Sequence, residues 1–507
     1  MYSKDAPFPV YCQPCWWSDK WEPPELEYDA SRDFFSQFAE LRNKTPHESM
    51  QAPQSVDSEY ATFIFNAKNT YLSSVILESK NIFYSRFLNK CEDCVGCNYV
   101  GKSAKCINVF YSADCYMCKE SRNIDGCQNV ALSAHCTNLS DCYGCINLRH
   151  KKYCIFNQQY SKEDYFSKRK ELEQLPIDEQ RELVKAFWLK NPMRAAMVFW
   201  SRNCSGNEIY YSSNCRQSVL VNYVRDGAYL FEVSSASRST ETTHTVLDCS
   251  IVTDYRFSYE VIGGSRSSNC AFGFINDDCL NCRYSMFIYG CSDVFGCIGL
   301  RNKDHRILNK EYSKEEYDKL VKKIMGSMKG YGEFFPAGIS PFAYNETIAQ
   351  DYMPLSKEAI MKTGLRWTDI ARSTYETTLA PEQLPSIAEA QDSISNEVIA
   401  CAHRGRCPHQ CITAFKITPY EFSLYKNLEA SLPTTCPNCR RFMPDDLFKL
   451  WKRKCTCAGA KSENGVYSNT ISHFHGADPC PNEFETSYAP DRKEIVYCEA
   501  CYNTEVV

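Results

Sequence analysis

Residues 91–154 read CEDCVGCNYVGKSAKCINVFYSADCYMCKESRNIDGCQNVALSAHCTNLSDCYGCINLRHKKYC. Its cysteines fall at Cys91, Cys94, Cys97, Cys106, Cys115, Cys118, Cys127, Cys136, Cys142, Cys145 and Cys154, and every gap is a multiple of three. The period extends outward: each third residue from Ser79 to Leu148 is Ser, Cys, Val, Ile or Leu, while the positions between carry Lys, Asn, Asp, Arg and aromatics. A helical face drifts by about 60° every three residues and a strand alternates every two, so the period suits neither. It suits a β-solenoid, where short strands are broken by corners and one small side chain per segment points into a narrow core. Many cysteines recur nine apart, as in Cys97, Cys106 and Cys115, which predicts a coil of about 18 residues built from two or more such segments.

A second block repeats the pattern. Every third residue from Ser212 to Ser239 is Ser, Cys, Val, Gly, Leu or Ala; the phase slips by one near Thr242, and the period resumes from Val246 to Leu300 through Cys249, Cys270, Cys279, Cys282, Cys291 and Cys297. The blocks end alike, CINLRHKKYCIFNQQYSKEDY at 145–165 and CIGLRNKDHRILNKEYSKEEY at 297–317. Ser161 and Ser313 each precede an acidic residue by three positions, an N-cap signature, so each solenoid is expected to run into a helix covering its open end. The first helix should break at Pro176 and resume to about Lys190. Outward Phe83, Tyr84, Phe110, Tyr111, Phe272, Phe274, Phe287 and Tyr289 form aromatic rows, read as surfaces that pack on the other solenoid or on the N-terminal segment.

The 507-residue chain is long enough for about three domains. Its net charge of −5 argues against coating nucleic acid along its whole length. No apolar run approaches the roughly 18 residues needed to cross a bilayer, and the N-terminus lacks the apolar core of a signal peptide. That reading places the chain in the cytoplasm, with no membrane partner, and makes its 31 cysteines metal ligands or buried thiols rather than disulfides. In the solenoids Ser and Val stand freely at positions equivalent to Cys, which favours buried small residues over a metal ladder at Cys91, Cys94 and Cys97.

Metal chemistry is expected further on. After a Ser/Thr/Pro-rich acidic stretch at 373–397, read as a linker, Cys401, Cys407 and Cys411 precede Cys436 and Cys439. Two close cysteine pairs joined by a short segment make a tetrahedral four-thiolate zinc site of ribbon type. Cys411 is the firm member of the first pair, with Cys401 or Cys407 as its mate. A second set holds Cys498 and Cys501 with two of Cys455, Cys457 and Cys480. His473 and His475, alternating in a polar loop, read as solvated. The basic stretch Arg440, Arg441, Lys449, Trp451, Lys452, Arg453 and Lys454 could contact nucleic acid. Asp445 and Asp446 interrupt it, and from residue 398 onward 13 Lys and Arg face 12 Asp and Glu, which favours a solvated face.

Residues 2–16, YSKDAPFPVYCQPCW, match residues 488–502, YAPDRKEIVYCEACY. Cys12 and Cys15 therefore read as the second half of another ribbon, with a truncated start as the expected reason for the missing half.

The motifs CWWSDKW at 15–21, LRxKxxxIxNxxYSKExY, CPHQCITAFKI at 407–417, CPNCR at 436–440 and FETSYAPDRKEIVYCEACY at 484–502 resemble a family of uncharacterised cysteine-rich zinc-ribbon proteins of small-genome candidate-phylum bacteria. The resemblance covers most of the chain and implies zinc binding; the family's members look as though they carry a complete N-terminal ribbon, of which this chain shows the second half. No Walker loop, nucleophile elbow, HExxH or dinucleotide fingerprint is present, and all-thiolate zinc sites are usually closed. The expectation is a mainly β chain: an N-terminal half ribbon with a helix (1–57), a first solenoid (58–160), a helical connector (161–202), a second solenoid (203–312), a capping helix and linker (313–397) and a zinc-ribbon module (398–507). Its expected role is that of a zinc-binding, non-enzymatic scaffold for an unidentified protein partner. A nucleic-acid-binding protein and a zinc enzyme are the alternatives.

Overall fold

In almost every solenoid triplet, the residue just before the inward side chain takes a left-handed backbone. Asn81, Tyr84, Phe87, Lys90, Asp93 and Gly96 have φ of 59°, 52°, 55°, 57°, 55° and 65°. Each such residue turns the chain, and four triplets close one coil. The computed structural model describes every residue except 1, 3–4, 237, 370–373, 408 and 442–447. In it Lys80 pairs in parallel with Glu92 and Glu92 with Ala104, while Cys94 pairs with Cys106. The coil is thus 12 residues, the spacing spanned by the hydrogen bond from the Cys91 N–H to Ser79 Oγ.

This corrects the expected coil of about 18. The nine-residue recurrence is a diagonal between adjacent coils: the Cys91 thiol donates to the Val100 carbonyl at 3.3 Å, nine positions on.

The preference for Ser and Cys inside follows from hydrogen bonding as much as from size. Ser79 Oγ donates to the Leu77 carbonyl (2.6 Å) and accepts the Cys91 N–H (3.0 Å). Ser85 does the same between Phe83 and Cys97, and Ser133 between Ala131 and Cys145. A buried backbone N–H without a partner is costly, so a small side chain carrying an acceptor is favoured at these positions. Left-handed Tyr, Phe and Lys corners cost on the order of 1 kcal/mol each. Side-chain ladders offset part of this. Asn69 donates to Asn81 and Asn81 to Asp93, and the rings of Phe87, Tyr99 and Tyr111 stack at 4.7 and 5.2 Å.

The second block spans strands from Val198–Phe199 to Asp304–Ile307. Between Ser234 and Thr253 the pairing jumps to 19 positions. The seven extra residues are not a multiple of three, which is the physical origin of the phase slip near Thr242. Both solenoids end on an asparagine that caps the last coil, Asn157 bonding the N–H and carbonyl of Ile146 and Asn309 those of Ile298. The helices do begin at Ser161 and Ser313, over Lys162–Glu173 and Lys314–Ser327, and the first resumes as Ile177–Trp188. The first does not lie across the open end, however. Its Tyr165 packs on outward residues Ala131, Leu132, Tyr143 and Ile155, which supply an apolar face along the side of the last coils.

The aromatic rows are covered. Tyr99, Phe110 and Tyr111 of the first solenoid meet Val219, Leu220 and Phe231 of the second. Phe272 packs with Phe34 and Phe35 of helix Phe34–Lys44, and Phe287 with Trp16. Phe83 and Tyr84 lie under the C-terminal cysteine segment, together with Ala390 and Ile394 from the stretch read as a linker.

Candidate metal centres

Four short elements bring the C-terminal cysteines together. Helix Pro437–Arg441 follows Cys436, and helix Glu499–Val506 follows Cys498, whose sulfur accepts the Cys501 N–H. Ala400 pairs with Ala414, which carries Cys401 and Cys411 to the first knuckle. Strand Trp451–Lys454 pairs with Glu483–Thr486, which carries Cys455 and Cys480 to the second.

The result is two buried four-cysteine groups, Cys401, Cys411, Cys436 and Cys439, and Cys455, Cys480, Cys498 and Cys501. Within each group all four sulfurs lie within 4.8 Å of one another. In the first, Cys439 Sγ is 3.9 Å from Cys401 and 3.5 Å from Cys436. In the second, Cys480 Sγ is 3.8 Å from Cys498 and 3.6 Å from Cys501. A tetrahedron of sulfurs 2.3 Å from a zinc ion has edges of about 3.8 Å, so both groups are of the right size to hold a metal. They are far too open to be disulfides, which need about 2.05 Å. Backbone N–H groups aim at the sulfurs, Cys436 N at Cys401 and Cys498 N at Cys455, each at 3.2 Å. Hydrogen bonds from the thiols of Cys401 and Cys439 hold Cys436 down to about 3, and one from Cys455 holds Cys498 down to about 4, which favours a thiolate in each set.

Cys401 thus joins Cys411, and Cys455 joins Cys480. The remaining cysteines, Cys407 and Cys457, do not stand apart. Cys407 lies with His403, His409 and Cys439, and Cys457 with His473, His475 and Cys501. The reading of His473 and His475 as solvated is corrected here. His473 is buried, with Nδ1 3.2 Å from the Cys457 sulfur, and His475 Nε2 is 3.3 Å from the Cys501 sulfur. His403 and His409 were not singled out from the sequence. Their placement two residues after Cys401 and two before Cys411 is the signal that could have found them.

Cys12 and Cys15 are exposed, and among the described residues no third ligand joins them. Their segment nevertheless docks as its C-terminal copy does: Val10–Tyr11 pairs in parallel with His47–Glu48, and Ile495–Tyr497 pairs in parallel with Pro192–Arg194. Trp16 is fully buried beneath the guanidinium of Arg301, 4.6 Å from its ring.

The basic stretch is corrected at Arg440. It is paired at 3.0 Å with the fully buried Glu421 and lies 4.3 Å over the Tyr84 ring, so the carboxylate and the aromatic cage withdraw it from any nucleic-acid surface. Arg441's side chain lies outside the described residues. Lys449, Lys452 and Lys454 are exposed, while Trp451 and Arg453 are half-buried. Lys452 stands opposite Glu485 and Lys454 opposite Glu483, which offsets the positive charge of this strand.

Among the described residues no cluster of solenoid cysteines converges on a metal-sized site. Burial pushes Cys127, Cys249 and Cys297 up to about 12. Cys91, Cys118 and Cys270 go the other way, lowered by neighbouring thiols that hydrogen-bond to them. No described helix is long and apolar enough to cross a membrane.

No family model and no curated protein sequence matches the chain. Among solved structures, one assigned to an acetyltransferase of Desulfovibrio desulfuricans G20 aligns at 10% identity and a TM-score of 0.11. The alignment covers 44% of this chain and 65% of that one, less than two thirds of its length, and no argument rests on it.

Proposed function

We propose that this is a zinc-binding, non-enzymatic scaffold of the cytoplasm, with ribbon-type modules that lock two solenoids into one rigid body and solenoid faces that engage a protein partner. The observation that carries it is the pair of buried four-cysteine groups. Thiolates at these spacings suit Zn²⁺, and a site filled by four protein ligands keeps no position for substrate. The side chains of His473 and its partner Glu505 are fully buried, which suits a structural site better than a hydrolytic one. Family membership with the cysteine-rich zinc-ribbon proteins belongs to the same proposal.

The modules bind the first solenoid and the connector that follows it at several points. Tyr84 Oη donates to Glu421, Tyr502 Oη donates to Asn147, and Thr486 Oγ1 donates to the Ala195 carbonyl. A face offered to a partner is the stacked row of exposed Trp200 and Tyr211 and half-buried Tyr223, with rings 4.8 Å apart. Two measurements test the reading. Cobalt substitution should give thiolate-rich tetrahedral spectra without an exchangeable water; an exchangeable water would favour an enzyme. Capture from the native host with the full chain as bait should return a protein that survives nuclease treatment and is lost with Trp200→Ser. Loss on nuclease treatment would favour nucleic acid instead.

A further inference from the structure

The groups that contain histidine share a corner with the four-cysteine groups. Cys439 belongs both to the set with Cys401, Cys411 and Cys436 and to the set with His403, Cys407 and His409. Cys501 belongs both to the set with Cys455, Cys480 and Cys498 and to the set with Cys457, His473 and His475. Two tetrahedra that share a vertex need seven ligands, and each module supplies seven: five cysteines and two histidines.

The order along the chain is also the same. The first, fifth, sixth and seventh ligands form the four-cysteine set, and the second, third, fourth and seventh form the mixed set. Between the modules the second and third positions exchange chemistry, His403 and Cys407 in one, Cys457 and His473 in the other. Imidazole and thiol differ in size, shape and hydrogen bonding. What they share is metal ligation, and the exchange keeps both the ligand count and the charge.

The local geometry agrees. Cys407 Sγ lies 3.5 Å from the shared Cys439 sulfur. An edge between a zinc-bound sulfur and a zinc-bound imidazole nitrogen measures about 3.6 Å, close to the 3.2 and 3.3 Å at Cys457–His473 and Cys501–His475. In the second module each imidazole turns one nitrogen to sulfur and the other to an oriented oxygen: His473 Nε2 to Glu505 at 3.1 Å, His475 Nδ1 to the Asp478 carbonyl at 2.7 Å. That arrangement fixes the tautomer of a ligating histidine. In the first module, Nδ1 of His403 is buried and has no hydrogen-bond partner among the described residues.

We infer that each C-terminal module holds two zinc ions bridged by one thiolate, Cys439 in the first and Cys501 in the second, for four ions per chain. This rests on the zinc-binding reading above and extends it from isolated sites to bridged pairs. The test is ¹¹³Cd NMR of the full chain exchanged into ¹¹³Cd, with native mass spectrometry counting the ions. Four ions should be counted, and the resonances should form two pairs, each split by ¹¹³Cd–¹¹³Cd coupling through the shared sulfur. His475→Ala should lower the count from four to three and remove the splitting in one pair, with the other pair serving as the folding control. Two unsplit resonances, or four without coupling, would overturn the bridge while leaving the four-thiolate sites standing. An absence of bound metal would overturn both.

Discussion

The Nε2 atom of His473 lies 3.1 Å from Oε2 of Glu505, on the far side of the ring from the Cys457 sulfur. Glu505 is in turn held by the Thr470 N–H and hydroxyl and by the Tyr467 hydroxyl. A carboxylate in this position orients the imidazole and raises its basicity as a ligand. Glu505→Gln should weaken the metal at His473 by about 10–100-fold and leave the four-thiolate sites unchanged. Competition with a chromophoric chelator reads this as one early-released equivalent; an unchanged release profile would show that Glu505 positions nothing.

Within the solenoid, Cys127 is predicted to act through its thiol hydrogen bonds rather than through metal. Its thiol donates to the Asp125 carbonyl at 3.4 Å and to the Cys136 carbonyl at 3.9 Å. Cys127→Ser keeps both bonds, as the serines on neighbouring coils do, and should cost at most ~1 kcal/mol. Cys127→Val removes both thiol bonds, at a cost of about 0.5–1.5 kcal/mol. Denaturant titration checks the order, and metal content should be unchanged in both variants.

Glu421 joins the first four-cysteine module to the first solenoid. Its carboxylate accepts from Tyr84 (3.0 Å), Tyr425 (3.2 Å) and Arg440 (3.0 Å). Glu421→Ala leaves Arg440 buried without its counter-charge, which typically costs about 3–5 kcal/mol. Hydrogen exchange should rise across 398–440, and Arg440→Met in the same chain should restore part of the protection. Equal exchange in wild type and Glu421→Ala would show that the pair does not hold the module.

The interface between the solenoids carries a pH dependence. Burial pushes Glu232 up to about 8 from an ordinary value of 4.5, against the opposing pull of Tyr99 and Arg86. Between pH 4.5 and 8 the folded carboxyl keeps a proton that the unfolded one has lost. Its contribution is therefore fully present below pH 4.5 and is lost as pH rises through 8. Wild type should lose on the order of a few kcal/mol over this range, and Glu232→Gln should flatten the slope. Identical slopes in the two proteins would place the effect elsewhere.

The three-residue period made the solenoid legible, because Ser79, Ile82, Leu88 and Cys91 differ in chemistry yet all face inward. The coil length was not legible from cysteine spacing, since the diagonal from Cys91 to Val100 is more prominent in sequence than the 12-residue backbone pairing. Asn, Asp and Gly at the residue before the inward one, as at Asn81, Asp93 and Gly96, are the corner signal that spacing alone passed over. At the candidate metal centres the cysteine pairs marked both four-cysteine groups. The histidines were harder to read. His473 and His475 sit in a polar insertion whose burial depends on Glu505, Tyr497 and Cys457 converging from distant positions. Arg440 reads as surface charge until Glu421 and Tyr84 close over it.

The most direct test is the metal content of the full chain purified without added metal, by elemental analysis against amino-acid quantitation. At least two zinc ions per chain are predicted, from the two buried groups around Cys439 and Cys501. Fewer than one zinc per chain, or iron in its place, would contradict the account.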